Sequence, residues 1–213
     1  MGTDIHGIFQ RYDEPAKKWV DVPSLYEQDR HYQLFAVLAG VRNGYGFAGD
    51  KTGEPVVPIS RPRGLPEDFE VDGDHHPLAS MEIIPPRMRE WYENDSPLEF
   101  YTGDHSFSWL AGEEMLAWFN SKTSVKQTGI LGREEYEKWD RKSKPTKSCG
   151  GISGPNIVLI EDTEDDKDRF PNWTHIVCTW TRELNEELAY FFDEVERLVK
   201  EHGKIRFVFG FDN

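Results

Sequence analysis

A chain of 213 residues with 13% aromatic and 30% charged side chains has enough apolar bulk for one domain core beneath a highly charged surface, and its two cysteines exclude a disulfide scaffold. A formal charge of −14, with an isoelectric point near 4.9, argues against general DNA or RNA binding but leaves room for a small phosphate ligand in a locally basic pocket. A mean hydropathy of −0.69, the lack of any apolar run long enough to cross a bilayer and the lack of a basic-then-apolar leader together predict a cytoplasmic protein without membrane contact.

The opening run Asp4-Ile5-His6-Gly7-Ile8-Phe9-Gln10 reads as a strand, and Lys18 to Val22 returns beside it after the Asp13-Glu14-Pro15 turn. The strand lacks proline and is apolar on one face, so it is expected inside a sheet and not at its edge. Period-2 geometry sets Asp4 and His6 on one face, where an acid and an imidazole can bind a divalent cation, share a proton or satisfy each other. His31 to Gly40 predicts a buried helix stopped by its glycine.

From Val41 to about Pro86, glycine and proline interrupt the chain every few residues, which predicts a long irregular region. Its first part, Arg42-Asn43-Gly44-Tyr45-Gly46-Phe47, combines a cation, an amide and two aromatics. Such a loop can stack a base on Tyr45 or Phe47 while Arg42, Asn43 and exposed N–H groups hold a phosphate. No Gly-Lys-Ser/Thr follows, so this is not a P-loop. The alternative is a tight loop whose aromatics are pinned to the core.

Short helices are expected at Pro86 to Tyr92, Leu110 to Phe119 and Glu134 to Asp140. Asp104 to Trp109 then lies just before a helix, where Asp104, Ser106 or Ser108 would cap and His105 would be a boundary residue. On the functional reading, His105 joins Asp4 and His6 as metal ligand or general acid and base. His75 and His76, beside Pro77, fit a solvated turn better. Cys149, in the Cys149-Gly150-Gly151-Ile152-Ser153-Gly154-Pro155 stretch, is a weaker candidate nucleophile that would need a histidine base, and Cys178 reads as core.

In the C-terminal third, Ile157 to Ile160 and Thr174 to Thr181 read as strands, with the acidic run Glu161 to Asp168 as a solvated loop between them. Leu184, Leu188, Phe191, Phe192, Val195, Leu198 and Val199 form one helix face that ends near Gly203. Ile205 to Phe211 is a final strand with Phe207, Phe209 and Phe211 on one side. Strand, helix and strand would make a right-handed crossover if both strands ran parallel in one sheet.

Three blocks, Met1-Gly2-Thr3-Asp4-Ile5-His6-Gly7, Leu34 to Asn43 and Cys149 to Pro155, resemble a group of small proteins encoded in tailed-phage genomes. The resemblance implies the host cytoplasm as setting and carries over no catalytic residue. Phage proteins of this size often act on small host molecules, including nucleotide signals used in defence, which points to a nucleotide-like ligand.

The expected fold is a single α+β domain spanning 1-213: a mixed sheet of the opening strand, Thr174 to Thr181 and Ile205 to Phe211, with the long C-terminal amphipathic helix on one face. The leading function is a metal-assisted hydrolase of a phosphoester or nucleotide, with Asp4, His6 and His105 as acid/base groups or ligands of Mn²⁺, Mg²⁺ or Zn²⁺ and Arg42 on the phosphate. One alternative is a non-catalytic phage protein that sequesters a nucleotide through Arg42, Tyr45 and Phe47. Another is an acidic protein-binding factor that mimics nucleic acid.

Overall fold

The computed structural model describes residues 2–28, 30–46, 49–69, 78 and 104–212. The helix expected at Pro86 to Tyr92, the His75–His76 pair and Phe47 lie outside the described residues. The fold is α+β, built on two sheets.

In the first sheet, β1 (Asp4–Asp13) and β2 (Lys18–Val22) form the expected hairpin, registered from Phe9 opposite Val22 to Asp13 opposite Lys18. On its other side β1 pairs antiparallel with the C-terminal strand β7 (Ile205–Asp212), from Asp4 opposite Asp212 to Arg11 opposite Ile205. A further antiparallel strand, β3 (Asp104–Ala111), completes the order β2-β1-β7-β3, so β1 is interior.

One face of this sheet carries Ile5, Phe9, Phe207, Phe209, Phe211 and Leu110, all buried. Against it pack helix α1 (Tyr32–Ala39) and the C-terminal helices α5 (Leu184–Glu187) and α6 (Ala189–His202), through Leu34, Phe35, Leu38, Leu188, Phe191, Phe192 and Val195. The helix read as one element from Leu184 is broken at Leu188. Its apolar stripe nevertheless faces the sheet as the spacing requires.

Gly7 sits in the same face because nothing larger fits: a Cβ there would lie 2.6 Å from Phe207 Cζ. The Gly7 backbone also meets the Gln28 side chain, whose Nε2 donates to Gly7 O at 2.7 Å while its Oε1 accepts from Gly7 N at 3.1 Å.

The second sheet has the order β4-β6-β5, with β4 (Ser124–Gly132) antiparallel and β5 (Leu159–Glu161) parallel to β6 (His175–Glu183). Its core is Leu131, Tyr136, Ile160, Trp173, Ile176, Cys178 and Trp180. The strand at Thr174 to Thr181 is therefore not in the sheet of β1 and β7. All nine positions of β6 are paired by β4, from His175 opposite Gly132 to Glu183 opposite Ser124, and β5 takes the other edge. The segment from β6 through α6 to β7 thus passes between sheets, and the crossover rule has no purchase on it.

Two further expectations are corrected. Asp104 to Trp109 is strand and not a helix cap; helix α2 (Gly112–Phe119) begins later, and Glu114 Oε2 reaches back to accept from Ala111 N at 2.9 Å. The acidic run contains helix α4 (Glu164–Arg169), which follows the expected helix α3 (Arg133–Lys138) in the chain. Thr163 Oγ1 caps α4 at Asp166 N, with acids in its first turn and Lys167 and Arg169 in its last.

Among the described residues no helix is long and apolar enough to cross a membrane. Among the described residues, 41–46 and 49–69 form isolated bridges and turns, pinned by Asn43 as described below.

Candidate functional site

Cross-strand partners share a face, so the register of the first sheet sorts the candidates. Asp4, Asp212 and Asp104 are opposite one another across β1, β7 and β3, and His6 lies on the same face opposite Gly210. His6 Nε2 is 3.1 Å from Asp212 Oδ2, and Asp212 Oδ1 accepts from Asp4 N at 3.3 Å. Asp4 is held by Arg30 in a two-point pair, Nε to Oδ1 at 2.8 Å and Nη2 to Oδ2 at 2.5 Å.

The Arg30 guanidinium holds the Asp4 carboxyl below its ordinary range, against a smaller opposing effect of burial. The side chains of His6 and Asp212 are 32% and 38% exposed, so solvent reaches the pair. His6 Nδ1 has no hydrogen-bond partner among the described residues. An imidazole oriented by a carboxylate at one nitrogen and open at the other is suited to moving a proton.

His105 is not part of this group. It pairs with Phe211, beside Ile5, and so points to the helix-covered face, where it is 1% exposed and stacked on the Phe211 ring at 6.0 Å. Its Nδ1 lies 2.9 Å from Ser106 Oγ, at a bulge where Ser106 takes φ +52° and the register shifts. A sheet separates His105 from Asp4 and His6, because the Asp104-to-Ala111 strand alternates where a cap would not. The joint three-residue site is not assembled. Among the described residues, no group of three or more His, Cys, Asp or Glu side chains is disposed to hold a metal ion.

The loop candidates are distributed differently. Asn43 is a structural staple: its Nδ2 donates to Val56 O at 2.7 Å and its Oδ1 accepts from Val56 N at 2.8 Å. These bonds clamp the loop, since those backbone groups have no sheet partner to meet them, and Asn43 also lines the cleft beside Arg42 and Tyr45. Arg42 Nε donates to Thr3 Oγ1 at 2.8 Å, and its guanidinium lies 5.6 Å from the Tyr32 ring centre. Tyr45 is 48% exposed at the rim of a cleft that it shares with Arg42.

Cys149 is exposed and bridges β4 through its backbone, with Sγ 3.8 Å from Ile130 O and no histidine bonded to it among the described residues. Burial pushes the Cys178 thiol up to about 11, which makes it inert as a nucleophile near neutral pH.

Arg30 and Asp212 carry no local sequence signal that would have joined them to Asp4 and His6. Gly2 lies against the Arg30 guanidinium, where a Cβ would meet it. Compared with models of protein families, with curated proteins and with solved structures, the chain matches none.

Proposed function

We propose that the protein hydrolyses a phosphoester or nucleotide-type small molecule at the Asp4–His6–Asp212 end of the first sheet. The observation that carries this reading is the His6–Asp212 pair, open to solvent on the imidazole side and flanked by the Asp4–Arg30 pair. In the reaction, water attacks phosphorus as His6 Nδ1 takes its proton. The P–O ester bond breaks, and the departing oxygen is protonated from solvent. Asp212 orients the imidazole and balances the imidazolium, and Arg30 supplies positive charge beside the phosphoryl oxygens.

A divalent cation fits this end poorly as it stands. Both Asp4 oxygens are engaged by Arg30, His6 and Asp212 are engaged with each other, and His105 is across the sheet. The setting proposed is the cytoplasm, that of the host if the chain is phage-encoded.

A second reading, sequestration of a nucleotide without turnover, is favoured by the cleft beside Arg42 and Tyr45. One assay separates the two: the purified protein is incubated with phosphomonoesters, phosphodiesters and nucleotides, with and without Mg²⁺ or Mn²⁺, and products are resolved by chromatography. Product formation that disappears in His6→Gln supports hydrolysis. Ligand recovered intact from a stable complex supports sequestration.

A further inference from the structure

Helix α3 ends at Lys138, and the loop that follows it concentrates positive charge. Residues 138–147 carry Lys138, Arg141, Lys142, Lys144 and Lys147 against a single acid, Asp140, in a chain of net charge −14. Lys138 is paired with Glu134, and Arg141 lies over the Tyr136 ring at 3.5 Å. Lys142, Lys144 and Lys147 are exposed, and among the described residues no carboxylate lies within ion-pair distance of them.

The acids closest in the chain are engaged by the loop's own backbone. Asp140 Oδ1 accepts from Lys142 N at 2.8 Å and Ser143 N at 2.9 Å, and its Oδ2 accepts from Ser143 Oγ at 2.8 Å. Glu135 Oε1 accepts from Thr146 N at 2.8 Å and Lys147 N at 3.2 Å. Trp139 Nε1 donates to Ser143 O at 2.7 Å, Pro145 is buried, and Cys149 exchanges two backbone hydrogen bonds with Ile130 of β4. The loop backbone is therefore fixed before any partner arrives, which lowers the cost of ordering it on binding. Partial burial and the Arg182 charge hold Lys144 below the ordinary lysine range, so the loop faces a further cation there and not an acid.

None of the exposed large hydrophobic side chains among the described residues lies in 138–147. The loop thus offers neither an apolar anchor for the centre of a protein–protein interface nor an exposed aromatic on which a base could stack. What it offers is a row of ammonium groups, which suits a chain of phosphates. We propose that this loop is a docking surface for a nucleic-acid strand, with Lys142, Lys144 and Lys147 meeting its phosphates and reading none of its bases. The net negative charge still repels nucleic acid from most of the surface. At physiological salt, however, screening acts over about 8 Å, so the charges of the loop itself dominate at close range. The inference does not depend on the hydrolase reading.

The test is fluorescence anisotropy of a labelled oligothymidylate of about 20 nucleotides, titrated with the full chain at about 50 mM and about 200 mM salt. The wild type should bind saturably at the lower salt, and Lys142→Gln/Lys144→Gln should bind about tenfold or more weakly, with a salt dependence shallower by about 1.4 in log–log slope for two lost phosphate contacts. Lys147→Gln alone should weaken binding in the same direction. Lys18→Gln/Lys200→Gln, which removes the same charge from β2 and α6, should bind as the wild type does, and melting curves of all variants should match it. No saturable binding by the wild type overturns the proposal, as does equal weakening by the Lys18/Lys200 pair, which would reduce the effect to net charge. An affinity and slope unchanged in Lys142→Gln/Lys144→Gln overturn it too. A polyglutamate peptide of the same length that displaces the strand at equal concentration would make the partner an acidic protein segment and overturn the nucleic-acid assignment.

Discussion

Asp212 Oδ2 lies 3.1 Å from His6 Nε2, so the last residue of β7 orients an imidazole from the start of β1. This contact fixes which ring nitrogen is left for a substrate. Replacing His6 by Gln, which keeps size and hydrogen-bonding capacity, should cut phosphoester hydrolysis by about 10²–10⁴-fold. Asp212→Asn should cost less, and the double variant should lose little beyond His6→Gln alone, because the two residues act as a unit. Steady-state rates on the four proteins check this.

Gly7→Ala should destabilise the protein by roughly 1–3 kcal/mol, since the added methyl would press into Phe207 and Phe209 within a packed sheet face. Urea melts of the variant measure it, and a stability equal to wild type would mean that the aromatic ladder of β7 yields freely.

Leu188 and Phe192 are fully buried where the C-terminal helices meet the first sheet, and Phe192 stacks on Phe119 at 5.0 Å. Leu188→Ala and Phe192→Ala should each cost about 2–5 kcal/mol in denaturant melts. Changes within ~0.5 kcal/mol would show that this helix–sheet contact does not hold the core together.

Glu194 is 5% exposed, accepts from Leu25 N at 2.8 Å and is held by Arg197 at both oxygens. The Arg197 contact depresses its folded pKa below the ordinary 4.5. A carboxylate lowered on folding stabilises the fold above its unfolded pKa, and that contribution disappears as pH falls through the folded value. Between about pH 5 and about pH 2 the wild type should therefore lose more stability than Glu194→Gln. Parallel melts across that range check the sign.

Gln28 clamps the backbone of β1 at Gly7, below the point where β2 pairing begins at Phe9. In native-state hydrogen exchange the amides of β1 should be slow, as befits an interior strand. Gln28→Ala should selectively speed exchange at Gly7, by about fivefold for a lost bond worth about 1 kcal/mol.

Much of this fold was legible because its hydrophobic pattern is local. Period-2 alternation marked β1 and β7, the Leu184-to-Val199 stripe marked the C-terminal helices, and Gly40 and Gly203 marked helix ends. β4 was not legible, because Ser124 to Thr128 is mostly polar and packs only through tertiary context. Without β4, nothing in the sequence could show that β6 already had its partner. β3 was hidden by its serines and by the bulge at Ser106, and that hid the face on which His105 sits.

The candidate site divides in the same way. The closeness of Asp4 and His6 follows from two residues of strand. Arg30 and Asp212 arrive through loop and sheet contacts that no local pattern encodes.

The most direct measurement is the pH profile of kcat/KM for phosphoester hydrolysis by wild type and His6→Gln, with melting curves taken on the same samples. If His6 is the proton-transfer group, the wild type shows an ionisation that His6→Gln lacks, at a rate lower by about 10² or more and with the melting temperature nearly unchanged. An equal rate and profile in both proteins would contradict the assignment.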